Sequence, residues 1–73
     1  MNYRCVKVCT YQEHHAINSW CQRNIGANNF TVYEESSVFG IRATDNAIIM
    51  TYVWSFNDQE NFTAFSLAWA DFN

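Results

Sequence analysis

The longest apolar run of the chain covers residues 48–56 and combines β-branched with aromatic residues, without glycine or proline. In a β-strand, such a run places alternate side chains on opposite faces. One face then carries the larger side chains: Ile48, Met50, Tyr52, Trp54 and Phe56. The other face carries the smaller ones: Ile49, Thr51, Val53 and Ser55. We therefore predict an interior strand with apolar bulk on both faces.

A helix is predicted over residues 11–24. Thr10 and Glu13 have the spacing of a capping box, in which each side chain accepts from the backbone N–H of the other residue. At 100° per residue, one narrow stripe holds the apolar side chains Ala16, Ile17, Trp20 and Cys21. Gly26 can take a positive φ and so predicts the end of the helix.

Alternating polar and apolar positions predict five strands, at residues 3–10, 30–35, 38–43, 47–56 and 62–69. In the first strand we expect Val6 and Val8 to point inward. Ser36 and Ser37 mark one predicted reversal of the chain, and the turn signal at Asp45 marks another. Residues 57–61 are predicted to form a polar loop.

The element order β-α-β-β-β-β predicts an α+β fold with two layers, in which one amphipathic helix lies on a mostly antiparallel sheet of four to five strands. A length of 73 residues predicts a single compact domain over residues 1–73. A helix of about 14 residues is about 21 Å long and cannot cover both faces of such a sheet. We therefore expect an apolar surface that contacts a partner. The alternative is a strongly twisted sheet that curls around its helix and hides both faces.

Charge argues against nucleic acid as a partner. The chain has four basic and seven acidic residues, and its formal net charge is −3. The basic residues are scattered along the chain: Arg4, Lys7, Arg23 and Arg42. Because nucleic-acid binding depends on several clustered phosphate contacts from Lys and Arg, we expect no DNA or RNA partner.

Cysteine usage indicates the compartment. The chain has an odd number of cysteines, Cys5, Cys9 and Cys21, whereas small secreted domains carry even sets that form disulfides. The first residues lack the apolar run of a signal peptide, and no apolar run approaches the length of a membrane span. We expect a cytoplasmic protein without a membrane anchor, in the host cytoplasm if the protein is viral.

The candidate chemistry is weak. Cys5, Cys9, His14 and Cys21 resemble a zinc ligand set in composition only. Two residues four positions apart on a strand are about 13 Å apart, and zinc ligands must converge to about 2.0–2.3 Å from the metal. Cys9 and His14 flank the predicted helix start as a nucleophile pair would, but no nucleophile motif surrounds them. We predict no metal, no cofactor and no catalytic residue, and therefore no enzyme.

The sequence therefore predicts a small non-catalytic protein-binding module, of the kind that viruses use as an inhibitor or adaptor to block a host enzyme or defence complex by occlusion. The predicted contact residues lie on the larger face of the interior strand and on the loop after it: Met50, Tyr52, Trp54, Phe56, Asp58 and Glu60. Which sheet face is exposed stays open. One alternative is a self-associating structural subunit, at least a homodimer. Another is a small-molecule-binding domain with an aromatic pocket between helix and sheet.

Overall fold

The computed structural model describes residues 3–70, with residues 36–39 described by their backbone only. The elements follow in the order β1 (Tyr3–Cys9), α1 (Tyr11–Asn24), β2 (Phe30–Ile41), β3 (Ile48–Phe56) and α2 (Gln59–Ala68). Within this range the strands form one antiparallel sheet in the order β1-β3-β2. Both helices pack on one face of it. The predicted α+β class with helix and antiparallel sheet layers is confirmed.

Strand β3 is the centre of the sheet because it pairs along most of its length with both neighbours. Val53, for example, lies opposite Val6 of β1 on one side and Tyr33 of β2 on the other. The interior position that the apolar run predicts for residues 48–56 is therefore confirmed.

The core lies between β3 and the helices. Trp54, Phe56 and Phe65 are fully buried, and the Phe65 ring centroid lies 5.6 Å from that of Trp54 and 4.9 Å from that of Phe56. From α1, Ile17 and Cys21 join the same cluster. This packing fixes both helices against the aromatic face of the central strand.

Helix α1 has the bounds that its capping signals predict. The Thr10 hydroxyl accepts from the backbone N–H of Glu13 at 3.1 Å, and the Glu13 carboxylate accepts from the N–H of Thr10 at 2.9 Å. After the helix, Gly26 takes a φ of 98° and its N–H donates to the carbonyl oxygen of Cys21. Of the predicted apolar stripe, only Ala16 is exposed.

The predicted last strand, residues 62–69, is wrong, because helix α2 occupies this segment. Asp58 is its N-cap and accepts from the N–H of Asn61 at 2.8 Å. Phe62, Phe65 and Trp69 then recur at helical spacing and turn toward the core. The polar residues expected to form a loop are instead the cap and first turn of this second helix.

The predicted reversal at Ser36 and Ser37 is also wrong, since β2 continues through both residues. Between Glu35 and Phe39 strand β2 advances four residues, while its partner β3 advances one, from Thr51 to Met50. The extra residues form a bulge, which bends a strand without ending it. The described sheet therefore has three strands, not four or five.

The prediction that Val6 and Val8 of β1 point inward is wrong. Both side chains are exposed, and Lys7 between them is buried on the helix side. The Lys7 ammonium donates to the carbonyl oxygen of Trp69, the C-cap of α2, at 3.0 Å. A helix C-terminus carries partial negative charge, and a lysine stem packs well against apolar surface. A charged residue thus occupies an inward position because a helix end neutralises it.

Arg42 connects the hairpin turn to the start of α1. Its guanidinium donates to the Glu13 carboxylate at 2.9 and 3.0 Å and to the Asp45 carboxylate at 2.7 and 3.1 Å. The turn itself has the predicted position, and Asn46 takes the left-handed conformation with a φ of 57°. One side chain therefore joins the helix cap to a turn 29 residues away.

Replacing Phe65 with alanine should lower the free energy of unfolding by about 3–5 kcal/mol, because the change leaves a cavity among fully buried rings. Urea denaturation measures the change. Leu67 lies in the same helix but is 77% exposed. The control L67A should shift the free energy of unfolding by less than about 0.5 kcal/mol. Equal losses at both positions would contradict the orientation of α2.

The Arg42 interactions predict a pH-dependent contribution to stability. Hydrogen bonds from Arg42 lower the pKa of Asp45 to about 2 and hold the pKa of Glu13 below its ordinary value of 4.5. Because both carboxyls titrate lower in the folded chain than in the unfolded chain, this contribution is complete above about pH 4.5 and is lost as the pH falls toward 2. We expect wild type to melt above R42Q at neutral pH, and the difference to shrink in acid.

The matched control is Arg23→Gln, which removes an exposed arginine at the other end of α1. The difference in melting temperature between wild type and R23Q should not depend on pH in the acid range. If the difference between wild type and R42Q is equally independent of pH, Arg42 does not act through these carboxylates.

Candidate functional site

The second face of the sheet is covered by neither helix, and we call it the open face. Where all three strands pair, each contributes three residues to it, because cross-strand neighbours in an antiparallel sheet share a face. These residues are Arg4, Val6 and Val8 from β1, Thr51, Val53 and Ser55 from β3, and Thr31, Tyr33 and Glu35 from β2. Ile49 of β3 continues the face beyond this part of the sheet.

The middle row of the open face is apolar. Val53 lies at its centre and is only 2% exposed, because Val6 and Tyr33 flank it from the two edge strands. Val6 itself is 57% exposed and Tyr33 is 48% exposed. Val8 adds further exposed apolar surface beside Val6. Exposed apolar side chains thus remain on the sheet face that the helices leave uncovered.

The charges of the open face lie at two diagonal corners. Arg4 pairs with Ser55 at one end of the face, and Glu35 pairs with Thr51 at the other. Two strand spacings and four residues of rise place their Cα atoms about 16 Å apart, which is too far for an ion pair within the chain. Both side chains are exposed, and neither joins an ion pair among the described residues. An apolar middle row thus lies between two opposite charges.

Three of the predicted contact residues, Tyr52, Trp54 and Phe56, lie in the core and not on the surface. They are at most 2% exposed, since the helices cover the face that carries them. His14 of α1 stacks on Tyr52 at 4.1 Å between ring centroids, and Phe65 of α2 packs on the other two. The larger face of the interior strand is therefore the inner one, and a partner of the folded domain cannot reach these rings.

The other predicted contact residues have separate positions. Met50 is half-buried on the same face, where it pairs with Cys9, the last residue of β1. Asp58 is exposed and caps α2, while Glu60 is exposed in the first turn of that helix, where a negative charge is favourable. The structure does not bring these three residues together with the open face.

Side-chain size is the signal in the sequence that separates the two faces. The strand at residues 48–56 has its rings on one face and small or β-branched residues on the other. Two helices can bury the rings, and the smaller face is the one left to solvent. The positions on the neighbouring strands, Val6 and Tyr33 above all, cannot be assigned to this face without the register.

The space between helices and sheet is filled. No pocket opens among residues 3–70, and the stacked rings of His14 and Tyr52 close the gap at the α1 side. The geometry therefore gives no support to the alternative of a small-molecule site between helix and sheet.

The buried thiols are not activated. Burial raises the pKa of Cys9 to about 11 and that of Cys21 to about 12, so both stay protonated near neutral pH. Burial, followed by the neighbouring charge of His15, lowers the pKa of His14. Across the described part of the chain, no three His, Cys, Asp or Glu side chains group closely enough to hold a metal ion.

Comparison with protein-family models, with curated proteins and with solved structures finds no match to this chain. Neither described helix is long and apolar enough to cross a lipid bilayer. The surface chemistry of the domain is therefore what points to a function.

Thiol labelling distinguishes the three cysteines. Cys9 and Cys21 are fully buried and Cys5 is half-buried. Because only an accessible thiolate reacts, we expect an aromatic disulfide reagent at about pH 8 to modify Cys5 first, and the other two only as the fold opens. The absorbance of the released thiolate measures each phase. The variant C5S should lose the fast phase, and fast labelling of folded C5S would contradict the burial of the other two thiols.

Proposed function

We propose that this chain is a small non-catalytic protein-binding module that docks its open face onto another protein. The observation that carries the proposal is the pair of exposed side chains Val6 and Tyr33, which flank the buried Val53 on a sheet face that no described helix covers. Protein interfaces combine an apolar centre with a polar rim, and Arg4 and Glu35 supply charged groups at the rim of this row.

Binding by a sheet face predicts a mechanism of occlusion. Hydrogen bonds between three strands hold the face rigid, so that little conformational entropy is lost when it docks. The face has no reactive group of its own, since the thiols and His14 lie on the other side of the sheet or in the helix layer. Such a surface blocks whatever part of a partner it covers.

Within this class we propose an inhibitor or adaptor, with a host enzyme or defence complex as the target if the protein is viral. The support is compositional: a chain of 73 residues with a net charge of −3 and 18% aromatic residues. This is analogy at the level of composition and not of a site. The free cysteines support a reducing compartment such as the cytoplasm.

Replacing Val6 and Tyr33 together with lysine should abolish capture of the protein partner, because two charges would be buried in the apolar row. The tagged wild type and the variant are used as baits in extracts of the cells in which the protein works, and the captured proteins are compared by mass spectrometry. Both positions are half-exposed or more, so the variant should remain folded.

The matched control is Leu67→Lys, which places a charge on an exposed apolar residue of α2, in the opposite layer. L67K should retain every protein that wild type captures. If V6K/Y33K folds and still captures the same proteins as L67K, the open face is not the binding surface.

A further inference from the structure

The open face is complementary to itself. It has one positive and one negative side chain among its nine residues, Arg4 and Glu35, and these lie at diagonally opposite corners with Val53 between them. A two-fold axis brings the same patch of two subunits together. Each contact across the axis therefore occurs twice, because the residues of the two copies exchange roles. Opposite charges at opposite corners can therefore form two pairs of unlike charge across such an axis.

We infer that the occupant of the open face is a second copy of this chain, placed by a two-fold axis that runs between the two faces over Val53, so that Arg4 of each copy meets Glu35 of the other. This inference rests on the proposed function, because it uses the same open face. The two copies cover the face when the chain is concentrated, and dissociation leaves it free for another protein when the chain is dilute. The two copies contact each other face to face, and the helix layers lie on the outside of the dimer.

The register predicts how the two sheets cross. From Arg4 to Glu35 the diagonal spans two strand spacings and four residues, which inclines it about 36° to the strands. In the dimer, the diagonal of one copy lies over the diagonal of the other and runs in the opposite direction. The strands of the two sheets then cross at about 70°, close to the orthogonal class of sheet packing. Val6 and Tyr33, which enclose the buried Val53, then form the apolar centre of the contact.

The size of the face predicts the strength of the dimer. Three strands and five residues of rise give a footprint of about 15 by 17 Å, or about 250 Å². Stable interfaces bury about 800 Å² on each partner. The dimer is therefore weak and forms at high local concentration.

Charge reversal tests the pairing, with sedimentation equilibrium and translational diffusion by NMR up to about 1 mM as the measurements. R4E places Glu against Glu twice across the axis, and E35R places Arg against Arg twice. We expect each single variant to raise the dissociation constant about tenfold or more. The double variant R4E/E35R restores both opposite pairs and should return the constant to within about twofold of wild type.

Mixing supplies a second readout that no other arrangement reproduces. A subunit of R4E against a subunit of E35R has opposite charges at both corners. We therefore expect an equimolar mixture of the two single variants to form heterodimers at concentrations where each alone is monomeric. The matched controls R23E and E60R make the same changes in net charge on the helices, away from the open face, and should leave the dissociation constant unchanged.

Several outcomes would overturn the inference. A wild-type chain that is monomeric at about 1 mM excludes the dimer. A dimer that persists in V6K/Y33K uses another surface, and one insensitive to R4E and E35R uses another axis. Loss of the captured proteins in V6K/Y33K, together with a strict monomer, overturns this inference and leaves the proposed function in place. A monomer whose captured proteins are unaffected by V6K/Y33K overturns both.

Discussion

The packing of Phe65 against Trp54 and Phe56 is the contact on which the rest of the fold depends. It joins α2 to the central strand, and among residues 3–70 the central strand is the only sheet neighbour of both β1 and β2. Phe65 is the fully buried residue of α2, and Phe62 and Trp69 pack at the edge of the same cluster, while Leu67 on the outer side faces solvent. The same contact also decides which sheet face is inner, and thereby which residues a partner can meet.

The elements that the sequence predicts correctly are those with local signals. The capping box at Thr10 and Glu13 and the positive φ at Gly26 depend on residues within a few positions, and so α1 has the predicted bounds. The turn at Asp45 has a local signal of the same kind. The sequence pattern does not separate α2 from a strand, because apolar residues at spacings of two and of three or four overlap in its ten residues. The N-cap at Asp58 was the available signal against a strand.

The faces of the sheet depend on contacts between distant residues, and this is why the site was predicted only in part. Lys7 points inward because the end of α2, 62 residues away, neutralises it, and this leaves Val6 and Val8 on the outside. No pattern within β1 reveals that contact. Two helices instead of one enclose the rings of the interior strand. Exposed apolar side chains remain at Val6 and Tyr33 of the neighbouring strands and at the paired residues Ile41 and Ile48.

The order β1-β3-β2 also governs what happens while the chain is being made. Strand β1 has no sheet partner until β3 is available, because Val6 pairs with Val53 and with no residue before it. During synthesis the first strand and the apolar side of α1 therefore leave the ribosome unpaired, and they stay so until the central strand follows. An unpaired strand edge with exposed valines is prone to associate with other chains. The interval between the synthesis of residues 9 and 48 is thus when β1 is most open to such association.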